Sequence, residues 1–190
     1  MKKSLTILSL TFILLAAAGT FSSCDKLKDN LFKAFSAGGG EANFTVPVIT
    51  TTNKFDTIDI QEIYLNVDSI IKAETGGLFS LDNVSKITVE SAEITINNPD
   101  ADNNISNFDY GLVLFNTFNP VTNDWNNTMA VAADNIPDAF ATSYSLAVLD
   151  DVNLKDHMRG TKLVYAVAAK ARRVTTKPLD CTLKVRVHIE

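Results

Sequence analysis

Apolar and polar residues alternate along most of the chain after residue 41, and this two-residue period is typical of β-strands. The clearest example is the C-terminal segment, where every second side chain is apolar, namely Cys181, Leu183, Val185, Val187 and Ile189. The residues between them are polar or charged. Because successive side chains of a strand point to opposite faces of a sheet, this segment predicts a strand with one buried and one solvated face.

The same period recurs in several other segments, which are separated by turn residues. These segments are 44–48, 58–67, 87–96, 108–114, 129–133, 144–148 and 163–171. Pro47 restricts the first to a sheet edge or a strand end, and a one-residue slip near Ser91 predicts a β-bulge. Seven to nine strands without a long helix predict an all-β fold, specifically an antiparallel β-sandwich of the immunoglobulin or fibronectin kind.

Two short helical turns are expected between the strands. The first runs from Asp68, as its N-cap, to Glu74 and ends at Gly76-Gly77. The second begins after Asn153 and ends near Met158. Neither is long enough to change the fold class.

Length and composition agree with one folded domain. The 190 residues are 46% hydrophobic, which excludes a wholly disordered chain. The net charge of −5 argues against a nucleic-acid partner, because proteins that bind nucleic acids usually present a clustered positive face. Two cysteines are too few for a disulfide-dense scaffold or a four-thiolate zinc site.

The N-terminus carries an export signal. Lys2 and Lys3 supply a positive start, and an apolar run follows from Leu5 to Ala18. This run is shorter than the roughly 20 residues that a bilayer-spanning helix needs, and it fits the hydrophobic region of a secretory signal peptide. We therefore expect the protein to be exported.

Two cleavage sites are compatible with this signal. Small residues at 16–18 suit an ordinary signal peptidase. The segment Ser22-Ser23-Cys24 instead predicts cleavage before Cys24 and lipidation of its thiol, which would anchor the protein to a membrane. The corresponding division of the chain is a signal peptide at 1–23, a lipidated connecting segment at 24–40, and a β-sandwich domain at 41–190.

The connecting segment contains the pattern of a short amphipathic helix. Its apolar residues are Leu27, Leu31, Phe32 and Phe35, and Gly38-Gly39-Gly40 is expected to end the helix and to act as a linker. Next to a lipid anchor, such a helix would lie on the bilayer surface. Docking on the domain, or a partly ordered tether, is the alternative.

Ser-Ser-Cys-Asp at residues 22–25, followed by a short helix, glycines and a β-rich body, resembles the lipoproteins of Bacteroidota. Phe21 departs from the leucine that lipoprotein signals usually place there. Within the body, residues 92–100 (Ala-Glu-Ile-Thr-Ile-Asn-Asn-Pro-Asp) are similar to the strand-then-Asn-Pro element of WHy-type β-sandwich domains. The first resemblance implies a lipid-anchored protein of the cell envelope at the outer membrane, on either its periplasmic or its surface face. Neither resemblance brings a catalytic residue with it.

No motif in the sequence indicates an enzyme or a cofactor. Cys181 is expected to face inward as a small hydrophobic residue. His157 and His188 are expected at the surface, since neither accompanies a nucleophile or a metal-binding motif. The basic residues Lys170, Arg172, Arg173 and Lys177 are expected to form a solvated sheet edge, or to contact an anionic glycan.

Two polar segments are the candidate ligand sites. Trp125, the single tryptophan, lies among amides that include Asn123 and Asn126. An aromatic ring beside amides is a common arrangement for holding a sugar, so these three residues are a possible glycan site in a loop. Asp100, Asp102 and Asn104 have the alternation of a calcium loop. Ile105 and Gly111 stand where an EF-hand has Gly and Glu, so these three residues are only weak metal candidates, and we expect no metal.

Together these features predict a non-enzymatic, lipid-anchored envelope protein that binds or supports something at the outer membrane. A surface glycan-binding or adhesive protein is the alternative. The expected partners are the membrane, through the lipid, and a glycan or an envelope protein.

Overall fold

The structure is a computed structural model and describes residues 34–119, 124–160 and 162–190. The strands in these ranges are β1 (Phe35–Val46), β2 (Phe55–Tyr64), β3 (Ile87–Ile96), β4 (Phe108–Asn119), β5 (Asp124–Asp134), β6 (Ser143–Val148), β7 (Lys162–Ala171) and β8 (Leu179–Ile189). Helix α1 covers Val67–Glu74, and 3₁₀ turns cover Leu81–Asn83, Ile105–Asn107 and Lys155–Met158. Residues 34–190 form one compact unit.

All of the ladders between these strands are antiparallel, and the strand order is β1-β8-β3-β6-β5-β4-β7-β2. This order confirms the all-β, antiparallel class predicted from the alternation. Two four-stranded groups, β1-β8-β3-β6 and β5-β4-β7-β2, are joined by a short ladder in which Val131 pairs with Val148 and Ala132 with Ala147. The two layers expected of a sandwich are therefore parts of one curled, half-barrel sheet.

The curl brings the two edge strands of the sheet, β1 and β2, close together. The side chain of Ile63 in β2 occupies the space beside Gly40 in β1, where a Cβ atom would stand. β-Bulges increase the local twist of a sheet, and they interrupt five of the ladders. These interruptions lie between Gly38 and Gly40, Thr57 and Asp59, Val89 and Ser91, Phe108 and Tyr110, and Val113 and Leu114.

The concave side of the sheet encloses the apolar core. Buried side chains from both four-stranded groups meet there, including Phe44, Val46, Ile96, Val113, Phe115, Leu179 and Leu183. Antiparallel strands that alternate in direction put the β1–β2, β3–β4, β5–β6 and β7–β8 connections at one end of the sheet. Helix α1 and the 3₁₀ turn at Lys155–Met158 lie in connections at the opposite end.

The N-terminal boundary of the domain differs from the prediction. The helix expected before Gly38 falls mainly on residues 24–33, which lie outside the described residues. Phe35 and the three glycines are not helix and linker but part of β1, paired with β8 from Ile189 to Val185. The glycine run reads as a linker from composition alone. Here it forms a bulge, with Gly40 at a φ of 109° that only glycine adopts readily.

The other strand predictions are confirmed or move by a few residues. In β8, Cys181, Leu183 and Val185 are buried and the register slip in β3 lies between Val89 and Ser91, as expected. Helix α1 ends before Gly76 and Gly77, which both have positive φ. Its N-cap, however, is Asn66, whose side chain accepts from the Ser69 N–H at 3.0 Å. Asp68 instead accepts from the Leu81 N–H and pairs with Lys72.

Within residues 34–119, 124–160 and 162–190, the structure contains no helix of the length and hydropathy needed to cross a membrane.

Candidate functional site

A groove of about 290 Å³ crosses the outer face of β2, β7, β4 and β5. Among the described residues, those that line it are all uncharged, namely Thr57, Ile60, Leu114, Asn116, Trp125, Asn127 and Ala166. Residues directly opposite each other in an antiparallel ladder share a face of the sheet. The register of three ladders therefore explains why these side chains, distant in sequence, lie together.

The apolar part of the groove is one row of residues across the four strands. Ile60 pairs with Ala166, Ala166 with Leu114, and Leu114 with Met129. The methyl side chain of Ala166 is much shorter than the side chains of Ile60 and Leu114 on either side of it. The groove is therefore deepest over Ala166. Ile60 is 61% exposed, which shows that the outer end of the row is open to solvent.

The polar part of the groove is a pair of amides in the next row. Asn116 of β4 lies directly opposite Asn127 of β5, a position that puts their Cβ atoms about 4.5–5.5 Å apart. Asn116 is only 8% exposed, and none of the described residues places a donor within hydrogen-bond distance of its Oδ1. A buried amide oxygen without a donor is costly to the fold and requires an explanation.

Trp125 completes the groove from β5. It lies two residues before Asn127, on the same face, and is 51% exposed. The prediction of a loop at this position is wrong, because Trp125 belongs to a strand. Asn126 is exposed but alternates to the other face, and Asn123 lies outside the described residues. The structure therefore groups Trp125 with Asn127, its neighbour in sequence, and with Asn116, which the sequence could not reveal because its position depends on the cross-strand register.

The weak calcium candidates Asp100, Asp102 and Asn104 belong to a loop whose polar side chains form hydrogen bonds with other protein groups. Asp100 Oδ1 accepts from the Asp102 N–H at 3.0 Å and from Asn103 Nδ2 at 2.7 Å, and Lys177 Nζ lies 2.6 Å from Asp100 Oδ2. The hydrogen bond from Lys177 is the main reason why the pKa of Asp100 falls to about 2. Asn104 Oδ1 accepts from Ser106. The side-chain oxygens of Asp100 and Asn104 thus accept hydrogen bonds from protein donors. The ammonium group of Lys177 occupies the position beside Asp100 that a bound cation would take.

Among residues 34–119, 124–160 and 162–190, no three or more His, Cys, Asp or Glu side chains lie together in a group that could hold a metal ion. The loop from 100 to 107 is instead a buried amide cluster. Its buried polar members are Asn103, Asn104, Ser106 and Asn107. Their hydrogen bonds fasten the β3–β4 connection to the β7–β8 connection, for example from Asn103 Nδ2 to Thr176 Oγ1 at 2.7 Å.

The basic residues after residue 169 are not a solvated edge. Lys170 lies on β7, which is paired on both sides, and the others lie in the turn that follows. Each has an aspartate partner: Lys170 with Asp109 at 3.1 Å, Arg172 and Arg173 with Asp138, and Lys177 with Asp100. This pairing offsets their charge, which weakens the case for an anionic glycan at this end of the sheet.

The expected surface position of His157 is wrong, because the residue is buried in the 3₁₀ turn beside β4 and β7. Its Nδ1 lies 2.6 Å from Thr117 Oγ1 and its Nε2 lies 2.8 Å from Thr128 Oγ1. Both ring nitrogens are thus used by threonine hydroxyls, an arrangement that fixes the turn. Burial lowers the pKa of His157, and the neighbouring Asp156 opposes this only in part.

This lowered pKa predicts that the folded protein loses stability as the pH falls below 6.5. The unfolded state then binds a proton at His157 more readily than the folded state does, which favours unfolding; above this pH the effect is absent. We expect the urea midpoint to decrease between pH 7.5 and 5.5. The decrease should be smaller in His157→Gln, which has no ionisable group there. Equal slopes in the two proteins would contradict the assignment to His157.

Cys181 and Tyr165 are two further buried titratable groups. Burial raises the pKa of each to about 12, so both are neutral at physiological pH. Cys181 is buried and free, as predicted from its inward position in the strand. It lines an apolar void of about 40 Å³ inside the sheet, between residues such as Phe44, Ile96 and Phe108. That void has room for little more than a water molecule and is too small for an organic ligand.

No protein-family model matches the chain, and no curated protein matches it at a significant level. Two solved structures align with most of its length. One is from Desmodium yellow mottle tymovirus, with a TM-score of 0.24 and 10% identity over 83% of this chain and 88% of that chain. The other is the empty head of turnip yellow mosaic virus, with a TM-score of 0.22 and 11% identity over 84% and 82%. At these TM-scores the likeness does not define a shared fold.

Proposed function

We propose that this chain is a non-enzymatic lipoprotein of the cell envelope that acts as a binding or structural module at the outer membrane. One observation carries the binding role. The outer face of β2, β7, β4 and β5 exposes several large apolar side chains, namely Phe55, Ile60, Trp125 and Met129. Soluble domains rarely gather such residues on one face unless that face contacts something.

The chemistry of the titratable groups supports a binding role over a catalytic one. A nucleophilic cysteine needs a lowered pKa, whereas burial raises the pKa of Cys181 to about 12. A catalytic base needs a substrate within reach, whereas both ring nitrogens of His157 are held by threonine hydroxyls.

The N-terminal sequence supports the anchor. The positive start at Lys2 and Lys3, the apolar run that ends at Ala18 and the Ser-Ser-Cys segment at 22–24 have the order of a lipoprotein signal. A diacylglycerol thioether on Cys24 would hold the β-domain at a membrane, because two acyl chains give stable anchoring.

The anchor predicts that Cys24→Ser removes the protein from membranes. In cells grown with an alkyne-tagged fatty acid, the wild-type protein should carry the label and sediment with the envelope. Cys24→Ser should lose the label and the membrane association, because serine offers no thiol for the thioether. The matched control is Cys181→Ser, which removes the other cysteine and should remain labelled.

Mass spectrometry of the mature N-terminus separates the two cleavage sites. An acylated Cys24 at the N-terminus supports the lipoprotein proposal. An unmodified N-terminus at Gly19, after the alanines at 16–18, would contradict it and indicate ordinary secretion.

A surface glycan-binding or adhesive protein is the second candidate, and the uncharged groove with its exposed tryptophan favours it. This candidate requires the domain to be accessible from outside the cell. Protease treatment of intact cells, beside a periplasmic control protein, should then remove the domain. Protection until lysis would indicate a periplasmic partner instead.

A further inference from the structure

We propose that the groove lined by Trp125, Asn116 and Asn127 binds a neutral saccharide. This inference deepens the proposed function, on which it rests, by naming the site and the ligand class. It differs from the grouping expected from sequence, because the amides that accompany Trp125 are Asn116 and Asn127 rather than Asn123 and Asn126.

The first argument is the buried amide oxygen of Asn116. Asn116 lines the groove, and no donor from the described residues reaches its buried Oδ1. A ligand that satisfies this oxygen must bring a donor, and the Asn116 side chain must turn its amide toward the groove to meet it. The neighbouring amide of Asn127 offers both donors and an acceptor. A sugar hydroxyl can donate to one amide oxygen and accept from a neighbouring amide nitrogen, so an amide pair suits it well.

The second argument is the apolar surface beside the amides. The electron-rich face of an indole ring attracts polarised hydrogens, and a pyranose presents C–H groups on one face with hydroxyls around its edge. Trp125 stands at one end of the groove and Ile60 at the other, with the short side chain of Ala166 between them. Ligand sites commonly combine an apolar wall with a few convergent polar groups, and this groove has both.

The third argument excludes two other ligand classes. None of the described residues that line the groove is charged, so none of them would recognise an anionic ligand by its charge. A peptide strand adds to a sheet edge through main-chain hydrogen bonds. The groove instead lies across β7 and β4, whose main chains pair on both sides. Recognition must therefore come from side chains that face outward.

The dimensions suit a short stretch of a saccharide chain. Three steps between neighbouring strands separate β2 from β5, which corresponds to about 14 Å across the sheet. The volume of about 290 Å³ lies at the small end of ligand pockets. The groove is open at the surface and has room for a few sugar rings of a longer glycan.

The single tryptophan makes the test direct, because all tryptophan emission reports on the proposed site. The full-length protein, purified in a detergent without a sugar headgroup, is titrated with dextran, laminarin, yeast mannan, xylan and arabinogalactan. Polygalacturonate and heparin serve as anionic comparisons. We expect a saturable shift in the emission with at least one neutral polysaccharide, and no shift with the anionic ones.

Matched variants on β5 separate the site from the rest of the surface. Asn127→Ala should weaken binding about tenfold, since two hydrogen bonds to the sugar are lost. Asn126→Ala changes the adjacent exposed amide on the other face and should bind as the wild type does. Both variants keep Trp125 as the reporter, and circular dichroism with a urea midpoint verifies that each is folded.

Three outcomes would overturn the saccharide assignment. One is the absence of any shift with the neutral polysaccharides at millimolar sugar concentration. Another is equal weakening by Asn126→Ala and Asn127→Ala, which would place binding elsewhere. The third is a response only to an apolar dye such as anilinonaphthalene sulfonate, which would indicate a docking face for a protein. The lipid anchor is tested separately by fatty-acid labelling of Cys24. If Cys24 proves not to be lipidated, the saccharide titration can still be interpreted.

Discussion

Replacing Asn107 by Ala is expected to destabilise the folded protein by about 3 kcal/mol, which corresponds to a fall in Tm of roughly 6–12 °C. Asn107 is buried at the centre of the amide cluster. Its Oδ1 accepts from the Asn104 N–H at 2.8 Å, and its Nδ2 donates to the carbonyl oxygens of Asp102 and Val174, each at 2.9 Å. Alanine removes all three hydrogen bonds and leaves their partners without one.

The cost is large because the three partners belong to two different connections. Val174 lies between β7 and β8, whereas Asp102 and Asn104 lie between β3 and β4. The backbone oxygen of Asn107 also accepts from the N–H groups of Arg172 and Arg173. We expect the variant to loosen this end of the sheet first, which amide hydrogen exchange of residues 100–107 and 172–176 would detect.

Asn98→Ala is the matched control for this prediction. Asn98 in the β3–β4 connection also makes two side-chain hydrogen bonds, to the Pro178 carbonyl of the β7–β8 connection at 3.1 Å and from the Asp180 N–H of β8 at 2.9 Å, but both are exposed. Water can replace them, so we expect a loss of about 1 kcal/mol or less. Urea unfolding of the two variants measures the difference. Equal losses would show that burial of the amide cluster does not determine its contribution.

The strands were predictable because each alternating segment buries one face, and burial follows from the local pattern. Cys181, Leu183 and Val185 illustrate this, since their period alone gave both the strand and its buried side. The all-β class followed from several such segments. The closure of the sheet did not, because it depends on which segments pair, and a two-residue ladder between β5 and β6 joins what would otherwise be two sheets.

The candidate site was predictable only in part, for the same reason. Trp125 stands out in the sequence as the single tryptophan among polar residues. Its partner Asn116 lies nine positions away on β4, and only the ladder in which Asn116 faces Asn127 shows that the two amides adjoin. The sequence did contain one indication of the position of Asn116. Leu112 and Leu114 alternate along the strand, and continuing this two-residue period places Asn116 on the same face as Leu114.

Composition gave the wrong prediction in two segments, because their asparagine or glycine residues stabilise the fold instead of binding a ligand or forming a flexible linker. Asp100 to Asn107 has the residue types of a calcium loop, but its buried amides bind one another and the β7–β8 turn. Gly38 to Gly40 has the composition of a linker but forms a bulge in an edge strand. In both segments, the partners in the other connection or strand are at least 67 residues away in sequence.

Replacing Gly40 by Ala is therefore expected to destabilise the protein by about 2–3 kcal/mol, although a linker glycine would tolerate the change. Its φ of 109° is a conformation that alanine adopts only with strain. A Cβ atom at this position would also overlap the Cδ1 atom of Ile63, so the side chain of Ile63 in β2 would have to move away from β1. Because these are the two edges of the curled sheet, the substitution should weaken its closure.

Gly38→Ala is the matched control, two residues earlier in the same strand. No heavy atom lies within 4 Å of a Cβ built there, and Gly38 has no positive φ. Alanine at this position should be neutral or slightly stabilising, since it restricts the unfolded chain. Thermal unfolding should therefore rank Gly38→Ala at or above the wild type and Gly40→Ala well below it. Two variants of equal stability would mean that Gly38 to Gly40 is a linker after all, and that β1 contributes little to the closed sheet.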